Sequence, residues 1–273
     1  MKQNSMPELP EVQTVINTLE KQIKNKTIED IKVFYPKIID NAEPDYFVNS
    51  LKGESFREFK RRGKFLIFYL DNYILVTHLR MEGKFFVENL PLITKHTHLE
   101  FDLSGGKYLL YHDVRKFGRM YIYKIDEEIE CIKKLGLEPF DERLDVSYLK
   151  EHFNNKTVKE NLLDQSIIAG IGNIYANEIL YYASVHPERE FSSLTDEELT
   201  KIIEGSRTIL KRAIELGGTT IHSFQSAKGI DGRFQLECKV QNKEGSICDR
   251  CGSTVKKIRV AGRGTYYCPG CQK

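Results

Sequence analysis

No apolar run in the 273-residue sequence approaches the roughly 20 residues that a membrane-spanning helix needs, which excludes that class. The opening MKQNSMPELPEV has no apolar core of the kind a secretory signal carries, so the chain is expected in the cytoplasm. Thiols stay reduced there, and six cysteines call for something other than disulfides. Net charge is nearly absent as well. Lys and Arg number 41 against 39 Asp and Glu, so the overall balance points to no particular partner. Internal repeats and low-complexity tracts are missing, which excludes repeat arrays.

What is present is unevenly placed. Lys239 to Lys273 holds eight Lys/Arg against Glu244 and Asp249, and Arg57 to Lys64 holds five against Glu58 alone. Such local clusters on a near-neutral chain suggest a polyanion-binding face, although a solvated surface gives the same pattern. Hydrophobic content of 40% is enough for ordinary globular cores. Leu9, Val12, Val15, Ile16, Leu19 and Ile23 form a helical stripe, with Pro10 tolerated in the first turn. From Thr27 to about Tyr123 eight short β-rich runs follow, separated by turn residues such as Asp71-Asn72 and Ser104-Gly105-Gly106. Helical patterns return in VKENLLDQSII, NIYANEILYYAS and DEELTKIIEGSRTILKRAIEL. The expected fold is therefore α+β and multidomain, with a β-sandwich and flanking helices over 1–134, an acidic linker over 135–155, a helical domain over 156–225 and a cysteine-bearing module over 226–273.

The strongest chemical signal is at the C-terminal end. Cys248-Asp-Arg-Cys251 and Cys268-Pro-Gly-Cys271 are two C-x2-C pairs separated by sixteen residues. Each presents two thiolates from a tight turn, and together they complete a tetrahedral Zn2+ shell with no open position, which reads as structural zinc. Iron in the same shell or a pair of disulfides would use the same spacing. Cys131 and Cys238 lack such spacing and read as buried thiols. Between the pairs, TVKKIRVAGRGTYY is a strand-turn-strand pattern that places Arg263 at a hairpin tip, a shape suited to a nucleic-acid groove. The turn Ala-Gly-Ile-Gly-Asn at 169–173 separates two apolar helices, with Asn173 where the second opens. Free N–H groups at that helix start would form a phosphate site.

PELPEV near the start, RRGK at 61–64, HLRMEGK at 78–84, DVRKFGR at 113–119, AGIGNIYANE at 169–178 and the finger ending GRGTYYCPGCQ occur in one order. Together they resemble the formamidopyrimidine-DNA glycosylase family of bacterial base-excision enzymes, from Met6 onward. The resemblance implies a helix-two-turns-helix domain before the zinc finger and a lid loop at the start of 226–273. It implies a monomer acting on double-stranded DNA with oxidised purines or abasic sites, as a DNA glycosylase and AP lyase working by β,δ-elimination. It further implies that Pro7, once N-terminal, is the nucleophile, because a terminal proline is a secondary amine whereas an internal one is an amide. Met6 is thus the expected start, with MKQNS an overlong extension.

By the same resemblance, Glu8 is the general acid/base, Glu11 orients the network, Lys64 assists catalysis and contacts phosphate, and Arg263 supports the second elimination. Met81, Arg115 and Phe117 are implied to fill the hole left by an extruded base, types that suit the task. His96, Lys156, Lys159 and Asn173 are implied phosphate contacts. One departure stands out: Gln241-Asn242-Lys243 lies where the family commonly has Tyr-Gly-Arg. Two other readings stay open, an endonuclease VIII-like enzyme for oxidised pyrimidines, against which Leu9 argues, and a non-catalytic damage-binding protein should MKQNS be retained.

Overall fold

The structure is a computed structural model and describes residues 6–219 and 232–273. MKQNS and the expected lid loop up to Asp231 lie outside the described residues. Two compact units divide the chain. The first holds Met6, Pro7 and 11–133; the second holds Glu8–Pro10, 134–219 and 232–273.

In the first unit, α1 (Leu9–Ile23) is followed by β1 (Ile28–Val33), α2 (Pro44–Leu51), β2 (Glu58–Arg62), β3 (Phe65–Tyr69), β4 (Tyr73–His78), β5 (Lys84–Glu88), β6 (Thr97–Leu103), β7 (Lys107–His112) and β8 (Arg119–Lys124). The eight strands correspond to the eight β-rich runs of the sequence. They form two antiparallel four-stranded sheets, β1-β6-β7-β5 and β2-β3-β4-β8. Alternate residues from both, including Leu66, Phe68, Leu75, Leu99, Phe101 and Tyr111, meet in one core, a β-sandwich. The helical stripe of α1 is buried in it at Val12, Val15, Ile16, Leu19 and Ile23.

The second unit contains α3 (Val146–His152), α4 (Val158–Leu163), α5 (Asn173–Ala183), α6 (Asp196–Glu215) and the hairpin β9 (Lys256–Val260) and β10 (Arg263–Tyr267). Thr157 with Glu160, and Thr195 with Glu198, form capping boxes that start α4 and α6. Residues 135–155 differ from the expected linker. Asp145 caps α3, Leu149 is fully buried in the helical core, and Arg207 of α6 donates to the carbonyls of Pro139, Asp141 and Leu144. Acidity and turn residues mimic a linker, but paired backbone carbonyls and buried leucines make this stretch part of the helical body. No helix among the described residues is long and apolar enough to cross a membrane.

Candidate functional site

Glu8 precedes α1 and is only 2% exposed. Its Oε2 accepts the N–H groups of Gly172 (2.7 Å) and Tyr175 (3.3 Å), and its Oε1 accepts Ile174 N–H (2.8 Å). These are the orphan donors of the first turn of α5, where the helix dipole favours negative charge. Three of the donors from which a phosphate site is expected at this helix start are thereby taken by the chain's own carboxylate. The glycines of the turn serve the same approach. A β-carbon at Gly172 would lie 2.7 Å from Glu8 Cγ and Oε1, and one at Gly170 would lie 2.6 Å from Leu9 Cδ1. Gly170 also sits at φ +102°, and its carbonyl accepts Leu9 N–H at 3.0 Å. Gln165 clasps the turn, accepting Gly170 N–H and donating to the carbonyl of Ile171.

The resemblance implies a phosphate contact at Lys159, but the side chain of that residue is fully buried. Its Nζ donates to Thr265 Oγ1 at 2.6 Å, and Thr265 Oγ1 donates to the carbonyl of Arg263 at 3.0 Å. Burial pushes the Lys159 ammonium down to about 7; the Glu8 carboxylate opposes that fall and Arg263 adds to it. Lys159 thus shares its electrostatics with the residues expected to do chemistry. Arg263 is exposed at the start of β10, after a two-residue turn in which Ala261 and Gly262 both have positive φ. Asn173 Nδ2 donates to the carbonyl of Gly264 at 3.0 Å, while its Oδ1 is buried with no partner among the described residues. Lys156 is exposed, in contrast to Lys159.

Sequence reasoning missed Glu178. It is 3% exposed and accepts the N–H groups of Lys239, Val240 and Gln241, anchoring the segment that leads into the finger. The available signal was an acid in an otherwise apolar helix, which must find partners when buried. The departure Gln241-Asn242-Lys243 keeps a glycine-like backbone, because Asn242 sits at φ +60°, where asparagine is better tolerated than most side chains.

The four finger cysteines converge, with all sulfurs within 4.8 Å of one another. Cys248 and Cys271 Sγ lie 3.8 Å apart, and Cys251 and Cys268 Sγ 3.3 Å. A tetrahedral zinc with Zn–S near ~2.3 Å separates its sulfurs by ~3.8 Å, so this donor set fits the ion.

The first unit carries the other expected residues. Pro7 is buried next to Glu8 in sequence, and Glu11 is 6% exposed on α1. Lys64 is 4% exposed in the β2–β3 turn, after Gly63 at φ +55°. Arg61 braces that turn, donating to Gly63 O (2.9 Å) and Gln13 Oε1 (2.9 Å). Met81 is half-buried between β4 and β5; Arg115 and Phe117 are exposed between β7 and β8, with the guanidinium 4.7 Å from the Phe117 ring centre. His96 is half-buried, and its carbonyl accepts Asp113 N–H.

Three family models match in order: the formamidopyrimidine-DNA glycosylase N-terminal domain over residues 6–120, the formamidopyrimidine-DNA glycosylase H2TH domain over 135–225, and the zinc finger found in FPG and IleRS over 245–273. A formamidopyrimidine-DNA glycosylase of Bacillus anthracis is 48% identical over 276 residues, covering 98% of this chain and 99% of the relative. A Lactococcus lactis Fpg mutant in complex with Fapy-dG containing DNA superposes with a TM-score of 0.90 at 39% identity, covering 98% of this chain and 100% of that one. L. lactis Fpg with abasic-site DNA gives 0.90 and 39%, covering 97% and 99%. With three domain models in register and a near-half-identical relative along the whole chain, this chain belongs to the formamidopyrimidine-DNA glycosylase family.

Proposed function

We propose that the chain is a bifunctional DNA glycosylase and AP lyase that removes oxidised purines, 8-oxoguanine and formamidopyrimidines, from duplex DNA. The observation that carries this is the Glu8 carboxylate, held by three backbone N–H groups one residue after Pro7. A proline freed at the terminus has a nitrogen lone pair. That lone pair attacks C1′ of the damaged nucleotide, the glycosidic bond breaks, and the base leaves with the bonding electrons and a proton. Loss of the proline N–H proton leaves an aminal at C1′. The C1′–O4′ bond then breaks, O4′ leaves with the bonding electrons and takes a proton, and the nitrogen lone pair completes an iminium, an electron sink that acidifies C2′. Removal of the C2′ proton expels the 3′ phosphate, and a second elimination expels the 5′ phosphate. Glu8 moves protons beside the amine and the opened sugar, with Glu11 orienting it. Lys64 and Arg263 stabilise the phosphate and developing charge.

Extrusion of the base costs a few kcal/mol. Met81 and Phe117 fill the void, Arg115 fills it with them and meets the orphaned partner base, and His96, Lys156 and Asn173 contact phosphates. Cys248, Cys251, Cys268 and Cys271 would hold one zinc ion that fixes the finger and so the position of Arg263. The proposed boundaries are a sandwich domain to 134, a helical domain over 135–225 that includes the stretch expected as a linker, and the lid and finger beyond. The enzyme works as a monomer at the bacterial nucleoid. The Fapy-dG and abasic-site complexes of the L. lactis relative support this substrate class.

Borohydride trapping tests the reading. Protein with Pro7 at its N-terminus should cross-link to an 8-oxoguanine duplex, because the reduced iminium is a permanent bond. Protein retaining MKQNS has Pro7 nitrogen in an amide and should not cross-link through it. Equal trapping by both, with MKQNS verified by mass, would make another amine the nucleophile, Lys64 first. Trapping on oxidised pyrimidines alone would favour the endonuclease VIII-like reading.

A further inference from the structure

The residues assigned to fill the void sit in two separate crossovers built to one plan. Residues 79–83 carry the chain from β4 in one sheet to β5 in the other, and 113–118 carry it back from β7 to β8. Their ends are paired, His78 with Arg119 and Lys84 with His112, so the crossovers run side by side at one end of the sandwich. Each places a left-handed non-glycine residue directly before its apolar tip: Arg80 (φ +54°) before Met81, and Lys116 (φ +59°) before Phe117. Such residues cost on the order of 1 kcal/mol or more and persist only where the surroundings hold them. In each, a buried side chain accepts a backbone N–H two residues on. His78 Nδ1 accepts Arg80 N–H at 3.0 Å, and Asp113 Oδ1 accepts Arg115 N–H at 2.9 Å.

One side chain lies beneath both. Tyr111 is fully buried on β7, opposite Phe85 on β5, with ring centroids 5.2 Å apart. Its hydroxyl occupies the space a β-carbon would need at Gly83, in the first crossover, and at Gly118, in the second. The two glycines differ in what else crowds them. At Gly83 the backbone carbonyl of Leu79 would lie 2.6 Å away; at Gly118 the next neighbours are Tyr111 Cζ at 2.9 Å and Asp113 Oδ2 at 3.2 Å. Asp113, fully buried, closes the second crossover by accepting Gly118 N–H at 2.8 Å through the oxygen not used by Arg115.

We infer that Tyr111 and Asp113 are positioning residues that lock the two crossovers into one rigid element, so that Met81 and Phe117 enter the helix as a pair in fixed register. The inference rests on the proposed role of Met81 and Phe117 in extrusion, but the rigid coupling can be read without activity. The sequence has no tryptophan, so Met81→Trp and Phe117→Trp each introduce a single fluorescent reporter. Gly118→Ala should shift the emission and acrylamide quenching of both reporters, including that of Met81→Trp on the other crossover. Adding Tyr111→Phe should shrink the shift, because the hydroxyl that met the new methyl is gone. The same addition should not relieve Gly83→Ala, where Leu79 backbone remains in the way. Should Gly118→Ala fail to fold by circular dichroism, Asp113→Asn, which removes one of two acceptors at unchanged size, must move both reporters.

A Met81→Trp signal indifferent to Gly118→Ala, or to Asp113→Asn, while the Phe117→Trp signal moves would overturn the coupling. With Met81 and Phe117 unchanged, Gly118→Ala should slow single-turnover excision of 8-oxoguanine from duplex about a hundredfold, the scale for a ~1 Å misplacement. Cleavage of a preformed abasic site should fall much less, and Tyr111→Phe should restore part of the loss. Coupled reporters with equal losses on both substrates would support the rigid element and refute the extrusion role instead.

Discussion

Gly172→Ala is a test of the Glu8 anchor in which backbone strain plays no part. Gly172 sits at φ −132° and ψ −162°, extended backbone that alanine adopts freely. Any penalty must therefore come from the added methyl, which would meet Glu8 Cγ and Oε1 at 2.7 Å. Overpacking of this kind costs about 1–3 kcal/mol. At about 2–4 °C per kcal/mol for a chain of this size, the melting temperature should drop by roughly 2–12 °C. If Glu8 moves instead, its bonds to Gly172, Ile174 and Tyr175 lengthen, and charge-assisted bonds contribute about 1.5–3 kcal/mol each. Either way the carboxylate shifts by on the order of 1 Å, and single-turnover excision should fall about a hundredfold. The assay is a double-mutant cycle by thermal denaturation. In a Glu8→Ala background the three atoms nearest the methyl are gone, and Gly172→Ala should cost under about 0.5 kcal/mol. An equal cost in both backgrounds, or wild-type excision by Gly172→Ala, would refute the argument.

Three further outcomes are expected. Purified protein should hold one zinc by elemental analysis, and Cys248→Ser or Cys268→Ser should unfold the finger and weaken DNA binding while the sandwich stays folded; protein holding neither zinc nor iron would refute this. Lys159 has a folded-state value of about 7 against 10.5 unfolded, so between those values the unfolded chain binds more protons and stability rises with pH. The stability of wild type relative to Lys159→Met should climb by up to about 1.4 kcal/mol per pH unit across that window, and a flat difference would show that the ammonium is not desolvated. Met81→Ala and Phe117→Ala should lower excision from damaged duplex more than cleavage of a preformed abasic site, which has no base to extrude; equal losses with folding intact would remove them from extrusion.

Much of this protein is determined locally and is legible as such. Short β-rich runs punctuated by turn residues mark all eight sandwich strands, because β-branched and aromatic side chains favour the pleated chain and Asn, Asp and Gly favour the turns between. The two C-x2-C pairs name a four-sulfur site, since a tight turn alone brings each pair of thiolates together. The stripe from Leu9 to Ile23 names a helix with one buried side, and the turn at 169–173 marks where α5 begins. Only the tertiary structure decided what those elements are used for. The donors at the start of α5 look open to phosphate, yet Glu8 takes three of them from 164 to 167 positions away. Lys159 reads as a phosphate contact, yet it is buried against Thr265, 106 positions on. Acidic residues around 145 read as a linker, yet Leu149 lies in the helical core. Periodicity and turn chemistry report what a residue does with its neighbours over a few positions. Which distant group satisfies a helix end or a buried charge is set by packing of whole elements, and that leaves no local pattern to read.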